Sequence, residues 1–188
     1  MMDFKFTSNG TFTEKLKEYG IRDFQSLLFY VKNLQYGRNA NREDLSLVIS
    51  ESKGTCSSKH AYLKAVANEN NFSEIKLILG MYKMTEKNTP KISPTLSENN
   101  LEYIPEAHCY LKFNDERIDA TSATSDFKKI GNDVLEEIEI NPNQVSEFKV
   151  DYHKEYLKNW LNKQNLDFNF EEIWNIREKC IQQLSKAK

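Results

Sequence analysis

Nucleophilic or metal chemistry in this chain would fall to three cysteines and three histidines. Cys56 follows Gly54-Thr55 and opens the run Ser57-Ser58-Lys59-His60-Ala61-Tyr62-Leu63, which continues through Ala65, Val66 and Ala67 to the Asn-rich end at Asn68, Asn70 and Asn71. With no Gly or Pro inside it, the run predicts a helix with a thiol at its mouth. The N–H groups and positive dipole end of a helix N-terminus favour an anion, so the Cys56 thiol is expected to titrate early and carry thiolate character at neutral pH. A thiolate nucleophile works with a base, usually histidine, and the imidazole needs a third group to orient it.

Of His60, His108 and His153, the hairpin pattern favours His108 as that base. If Asn114-Asp115 is a two-residue turn, Phe113 pairs with Glu116, Tyr110 lies opposite Asp119, and His108 opposite Thr121. His108 and Asp119 are then diagonal neighbours, roughly 7–8 Å apart at their backbones. One face of the hairpin would carry Cys109, Leu111, Phe113, Ile118 and Ala120 into the core. The other would turn His108, Tyr110, Lys112, Arg117, Asp119 and Thr121 to a site or to solvent. His60, four residues after Cys56, shares its helix face and is expected to line the pocket or support it. His153, among Asp151, Lys154 and Glu155, is expected to face solvent, and Lys59, Lys112 and Arg117 to be solvated charges.

The elements that must position these residues follow from periodicity. Thr11 through Glu14 can form a capping box ahead of Phe12, Leu16 and Tyr19, with Gly20 as the stop. Asp23 can cap a second helix with Phe24, Leu27, Leu28 and Val31 on one face, ending near Asn33. Gln35 to Asn41 reads as a loop, and Arg42 to Ser50 as a third helix. Glu74 to Lys83 reads as a central strand, Thr85 to Asn100 as a long and functional or mobile connection, Ala107 to Phe113 and Glu116 to Thr121 as paired strands, and Val134 to Ile140 as another. Helices over Val145 to Asn162 and Asn169 to Leu184 bring Trp160 and Trp174 for packing on the sheet.

Composition limits the function classes. The 188 residues fit one domain, 39% hydrophobic and 29% charged, as in soluble globular proteins. Lysine and arginine number 26 against 28 acidic residues, so no positive field marks nucleic acid as a partner. There is no run of about eighteen apolar residues and no basic-then-apolar start in Met1-Met2-Asp3-Phe4-Lys5-Phe6, which leads us to expect no membrane association and a cytoplasmic protein. An odd, sparse cysteine count fits free thiols in a reducing compartment.

The order Gly54-Thr55-Cys56 at a helix start, Glu106-Ala107-His108-Cys109-Tyr110-Leu111 on a strand and Asp119-Ala120-Thr121 on the next resembles the transglutaminase-like superfamily of the papain-like fold, in a small bacterial-type branch. Gly-Thr-Cys-Ser-Ser-Lys-His and Pro-Glu-Ala-His are the signature runs, and the resemblance covers about Gln35 to Thr124. It implies a triad of Cys56 as nucleophile, His108 as general base and acid, and Asp119 orienting the imidazole. It also implies acyl transfer from an amide through a thioester to water or an amine. The chain departs from many relatives at Cys109, where an aromatic residue follows the histidine, and at Glu116-Arg117-Ile118, where a glycine-tryptophan pair approaches the aspartate. The oxyanion would take the Cys56 N–H and a second donor, for which Gln35 and Tyr36 are the candidates.

The expected architecture is α+β: one domain over 1–188, with a catalytic core over about 35–140, a nucleophile-bearing helix packed on an antiparallel sheet, and a C-terminal helical extension over 141–188. The expected substrate is a peptide, a protein or a small amide, and no cofactor or metal is implied. Two other readings stand beside this one. A non-catalytic peptide-binding module would bury Cys56 as a structural thiol. A zinc-binding structural protein would use Cys56, His60, His108 and Cys109, although strand alternation points His108 and Cys109 to opposite faces.

Overall fold

The computed structural model describes residues 3–164 and 166–185. Among these the chain runs α1 (Thr11–Glu18), α2 (Phe24–Asn33), β1 (Gln35–Tyr36), α3 (Leu47–Ser50), β2 (Lys53–Gly54), α4 (Cys56–Glu69), β3 (Lys76–Met84) and α5 (Ser93–Glu98). It continues through β4 (Ile104–Phe113), β5 (Glu116–Ile118), β6 (Val134–Ile140), α6 (Glu147–Gln164) and α7 (Phe170–Ser185). The fold is mixed α/β with an antiparallel sheet. Its strand order is β5-β4-β3-β6, and β1 and β2 form a separate parallel pair. The chain divides into two compact units, one of Met1–Leu79, Cys109–Phe127 and Ile138–Ser146, the other of Gly80–His108, Lys128–Glu137 and Glu147–Lys188.

In the first unit α4 is the central element, buried from Ser58 through Lys64 and again at Val66 and Ala67. So even a burial pattern is that of a helix covered on all sides rather than on one stripe. Its C-terminal end holds α1. The expected capping box at Thr11 does not form, because the N-cap is Gly10 and has no side chain to offer. The carboxylate of Glu69 instead accepts from the N–H groups of Phe12 (3.1 Å) and Thr13 (2.7 Å), filling donors that a helix start leaves open. A Cβ on residue 10 would sit 2.1 Å from Glu69 Cδ, so a larger residue there would push the Glu69 carboxylate off these donors. Asp23 caps α2 as its sequence indicates, accepting from Ser26 N at 2.8 Å. The third helix is only Leu47–Ser50, shorter than its expected start at Arg42, and the Gln35–Asn41 loop contains the two-residue strand β1. The hairpin register is the expected one, Phe113 against Glu116 and Leu111 against Ile118, with Asn114 at φ +52° in the left-handed region that Asn tolerates.

The second unit is built on an apolar cluster of Tyr82, Met84, Ile92, Leu96, Leu101 and Ile104 with residues of α6 and α7. Along α6, His153, Leu157, Trp160 and Leu161 recur at helical spacing on the buried face. The expectation that His153 faces solvent is therefore corrected. It is 2% exposed, and its charged neighbours Asp151, Lys154 and Glu155 lie off that face. The Thr85–Asn100 connection is also folded rather than plain loop. Pro90 and Pro94 start a 3-10 turn and α5, positions where the missing N–H costs nothing, and Ile92, Thr95 and Leu96 are buried. Trp160 donates Nε1–H to Tyr103 Oη at 2.9 Å.

Candidate active site

Within the first unit, β2 delivers the chain directly to Cys56. Gln35 pairs with Lys53 and Tyr36 with Gly54, so the two candidate oxyanion residues lie on the strand beside the one that leads into the helix opening at Cys56. Both side chains are exposed. Cys56 is the first residue of α4, and Thr55 is its N-cap. Thr55 Oγ1 accepts from Ser58 N (3.4 Å) and Ser58 Oγ from Thr55 N (3.0 Å), a reciprocal box that fixes the first turn. The Cys56 thiol is half-buried, with Ser57 Oγ 3.9 Å from Sγ. Cys109 and Cys180 are buried, as their apolar settings suggest, and burial pushes the Cys180 thiol up to about 11.

His60 and Lys59 are both fully buried and reach the same segment. Ala120 N–H donates to His60 Nε2 at 2.7 Å, so Nε2 must be the unprotonated nitrogen. The neutral ring then carries its proton on Nδ1 and donates it to the Cys56 carbonyl at 2.7 Å. Both nitrogens thus end on backbone, which removes His60 from the four-residue zinc set. Among the described residues no group of three or more His, Cys, Asp or Glu is arranged to hold a metal.

Lys59 corrects a further expectation, since it is not a solvated charge. Its Nζ donates to the carbonyls of Leu34 (2.7 Å) and Thr121 (2.8 Å). Burial lowers its pKa to about 8, against the opposing attraction of Asp119. Gly54 leaves room for its stem, because a Cβ there would lie 2.8 Å from Lys59 Cγ. A signal for this burial is present in the sequence. Between Cys56 and Asn68 the only charged residues are Lys59 and Lys64, too few for a helix with a solvated face.

Asp119 lies one residue beyond the ladder, because β5 ends at Ile118 rather than at Thr121. Side chains take the backbone groups that a longer strand would have given to its neighbour: Ala120 N–H goes to His60, the Thr121 carbonyl to Lys59, and Thr121 N–H to Asp119 Oδ1 at 2.9 Å. The last is a local Asx-type bond, which holds the Asp119 carboxylate against its own turn. Asp119 Oδ1 is 3.8 Å from His60 Nε2. Thr121 Oγ1 is buried without a hydrogen-bond partner. Tyr110, expected to face a site or solvent, is fully buried with its ring 4.7 Å from that of Phe127, because β4 is covered on both faces here. Beside Asp119 opens a cavity of about 430 Å³ whose lining includes Lys32, Arg117, Ser125 and Phe127.

His108 belongs to the second unit, where it is half-buried with its ring edge-on to Tyr82 at 6.1 Å. The residues brought together in the first unit are therefore Cys56, Lys59, His60, Asp119 and Thr121, with Gln35 and Tyr36 on the strand beside the helix start.

Comparison with protein-family models, curated proteins and solved structures returns no match. Among the described residues no helix is long and apolar enough to cross a membrane.

Proposed function

We propose that the chain is a cysteine-dependent amide hydrolase or acyltransferase of transglutaminase-like type on a papain-like fold, acting through a thioester on Cys56. The observation that carries this reading is the setting of Cys56. Two other thiols are buried, whereas this one is half-buried at the first position of a 14-residue helix with a closed capping box. A helix start is where a thiolate is stabilised.

In the proposed reaction the Cys56 thiolate attacks the amide carbonyl carbon, and the oxyanion is held by the Cys56 N–H with Gln35 or Tyr36 as second donor. The C–N bond breaks as His108, oriented by Asp119, gives its proton to the leaving amine. His108 then takes a proton from water, the hydroxide adds to the thioester carbonyl, and collapse releases the carboxylic acid and the thiolate. An amine in place of that water gives transfer instead of hydrolysis. The substrate class is a peptide, a protein or a small amide.

The test is the pH dependence of Cys56 alkylation by iodoacetamide, read by peptide mass spectrometry in the native chain and in His108→Ala. Modification of Cys56 well below the pH at which Cys109 and Cys180 react, with a curve displaced to higher pH in the variant, is the expected result. A Cys56 that reacts like an ordinary thiol, indifferent to His108→Ala, would sink the proposal and leave a non-catalytic peptide-binding module in its place.

A further inference from the structure

We infer that Lys59 is a positioning residue of this site: its ammonium, held by the Leu34 and Thr121 carbonyls, sets the Gln35–Tyr36 strand and the Asp119 turn against the helix that carries Cys56. The inference rests on the function proposed above and assigns the residue that assembles its parts.

Lys59 lies one turn after Cys56 in the same helix and is fully buried. A buried ammonium gives up its hydration, a loss that hydrogen bonds inside the protein have to offset. For packing alone, an apolar side chain of similar length would serve α4 better. What the ammonium adds is donors. One bond goes to the residue directly before β1, and another to the residue two beyond Asp119. The neighbouring side chain, His60, takes the N–H of Ala120 from that same turn. Consecutive residues of the helix thus grip an N–H and a C=O of one short segment, which fixes both its distance and its rotation about the chain axis. A lysine suits this use because its compact ammonium can rotate its three protons toward acceptors wherever the backbone places them, whereas the donors of a guanidinium are held in a fixed planar fork. Since these bonds end on backbone, Lys59 acts through Asp119 and β1 rather than on a reacting atom.

The experiment compares the pH midpoint of Cys56 alkylation by iodoacetamide in the full chain, in His108→Ala, Asp119→Asn and Lys59→Met, and in the Asp119→Asn/Lys59→Met double variant. All are measured at a temperature where circular dichroism shows each folded. Lys59→Met is expected to raise the midpoint by about one pH unit, the scale on which an oriented charge partner acts. The double variant is expected to go no further than Asp119→Asn alone, because both changes act through the same carboxylate. A merely structural lysine would lower the melting temperature and leave the midpoint in place, which would overturn the inference. Lys59→Gln keeps an amide donor group on a shorter, uncharged side chain and decides the matter if Lys59→Met does not fold: an intermediate displacement supports the role, and none overturns it. If His108→Ala itself leaves the midpoint unmoved, the proposed function fails and the role of Lys59 falls with it. If His108→Ala and Asp119→Asn move it while the Lys59 variants do not, this inference alone is wrong.

Discussion

In the first unit the polar side chains of α4 end mostly on backbone: Lys59 on two carbonyls, His60 on an N–H and a carbonyl, Glu69 on the open N–H groups of α1. Around Glu106 in the second unit, charged side chains end on one another. Arg177 meets Glu106 through Nε–H to Oε2 at 2.7 Å and through Nη2 to Oε1, and its Nη1 reaches Glu178. His153 sits 4.0 Å from Glu106 with a single backbone bond, to the Pro105 carbonyl at 2.9 Å. Burial pushes the Glu106 carboxyl up, but Arg177 and His153 outweigh it and hold it below its ordinary value. An ion pair neutralises charge and leaves its two elements interchangeable with any apolar pair of the same shape. A side chain bonded to backbone fixes where a segment lies whatever side chains that segment bears. The second arrangement is the one that fixes the Asp119 turn and β1 against α4.

The largest effect is expected from removing one ion of the charged cluster. Arg177→Met leaves Glu106, 7% exposed, without its partner, and unfolding in urea is expected to show a loss of about 3–5 kcal/mol. Adding Glu106→Leu to that variant should recover most of it, since an apolar-for-ionic replacement of the whole pair is often nearly neutral. Failure of the double variant to recover would mean that Glu106 fixes β4 by more than charge, and the contrast between the units would collapse.

Local rules were enough for some of this structure and silent on the rest. The Asp23 cap, the Asn114-Asp115 turn with its register, the strand Val134–Ile140 and the helix beginning at Cys56 are each decided by residues a few positions apart. The N-terminus of α1 is decided by Glu69, 57 residues from Phe12, so the nearby Thr11 and Glu14 were misleading. Lys59 and His153 look solvated because charge is a surface signal on average, and the tertiary acceptors at Leu34, Thr121 and Pro105 reverse it. The strand reading of Asp119 to Thr121 failed for a similar reason, since alternation cannot reveal that side chains from α4 will take that segment's hydrogen bonds. Lys59 and His60 hold the segment that follows Asp119, a role that no local pattern in the sequence assigns to either.

A smaller effect probes the backbone-directed side of the comparison. Ala120 is fully buried, so His60→Leu leaves its N–H with no acceptor, whereas the Cys56 carbonyl keeps its place in the helical ladder. One orphaned buried donor is expected to cost about 1–3 kcal/mol in urea unfolding, with His60→Gln costing less because its amide offers both an acceptor and a donor. Nitrogen-15 spectra of the native ring should show the proton on Nδ1 and none on Nε2. A proton found on Nε2 would contradict the grip on Ala120.

The smallest effect separates the clusters by pH. Lys59 has a folded pKa of about 8 against an ordinary 10.5, lowered by burial in spite of Asp119. Between those values the unfolded chain holds more protons than the folded one, so stability rises with pH there, by about 1 kcal/mol from pH 7 to 9. The Lys59→Met variant should lack that gain. Lys64, also lowered by burial, contributes with the same sign in both proteins and cancels in the difference. Tyr62, raised by burial, acts with the opposite sign only above the ordinary tyrosine value of 10.0. The charged cluster responds elsewhere. Burial lowers the His153 pKa against the pull of Glu106, so the unfolded histidine takes its proton first and stability falls as pH drops through 6.5. Urea midpoints of the native chain and Lys59→Met at pH 5.5, 7 and 9 therefore test both slopes together. The acid loss should persist in the variant while the alkaline gain shrinks by the share of Lys59, and a variant that keeps the full alkaline gain would show that the buried charge at Lys59 does not contribute to it.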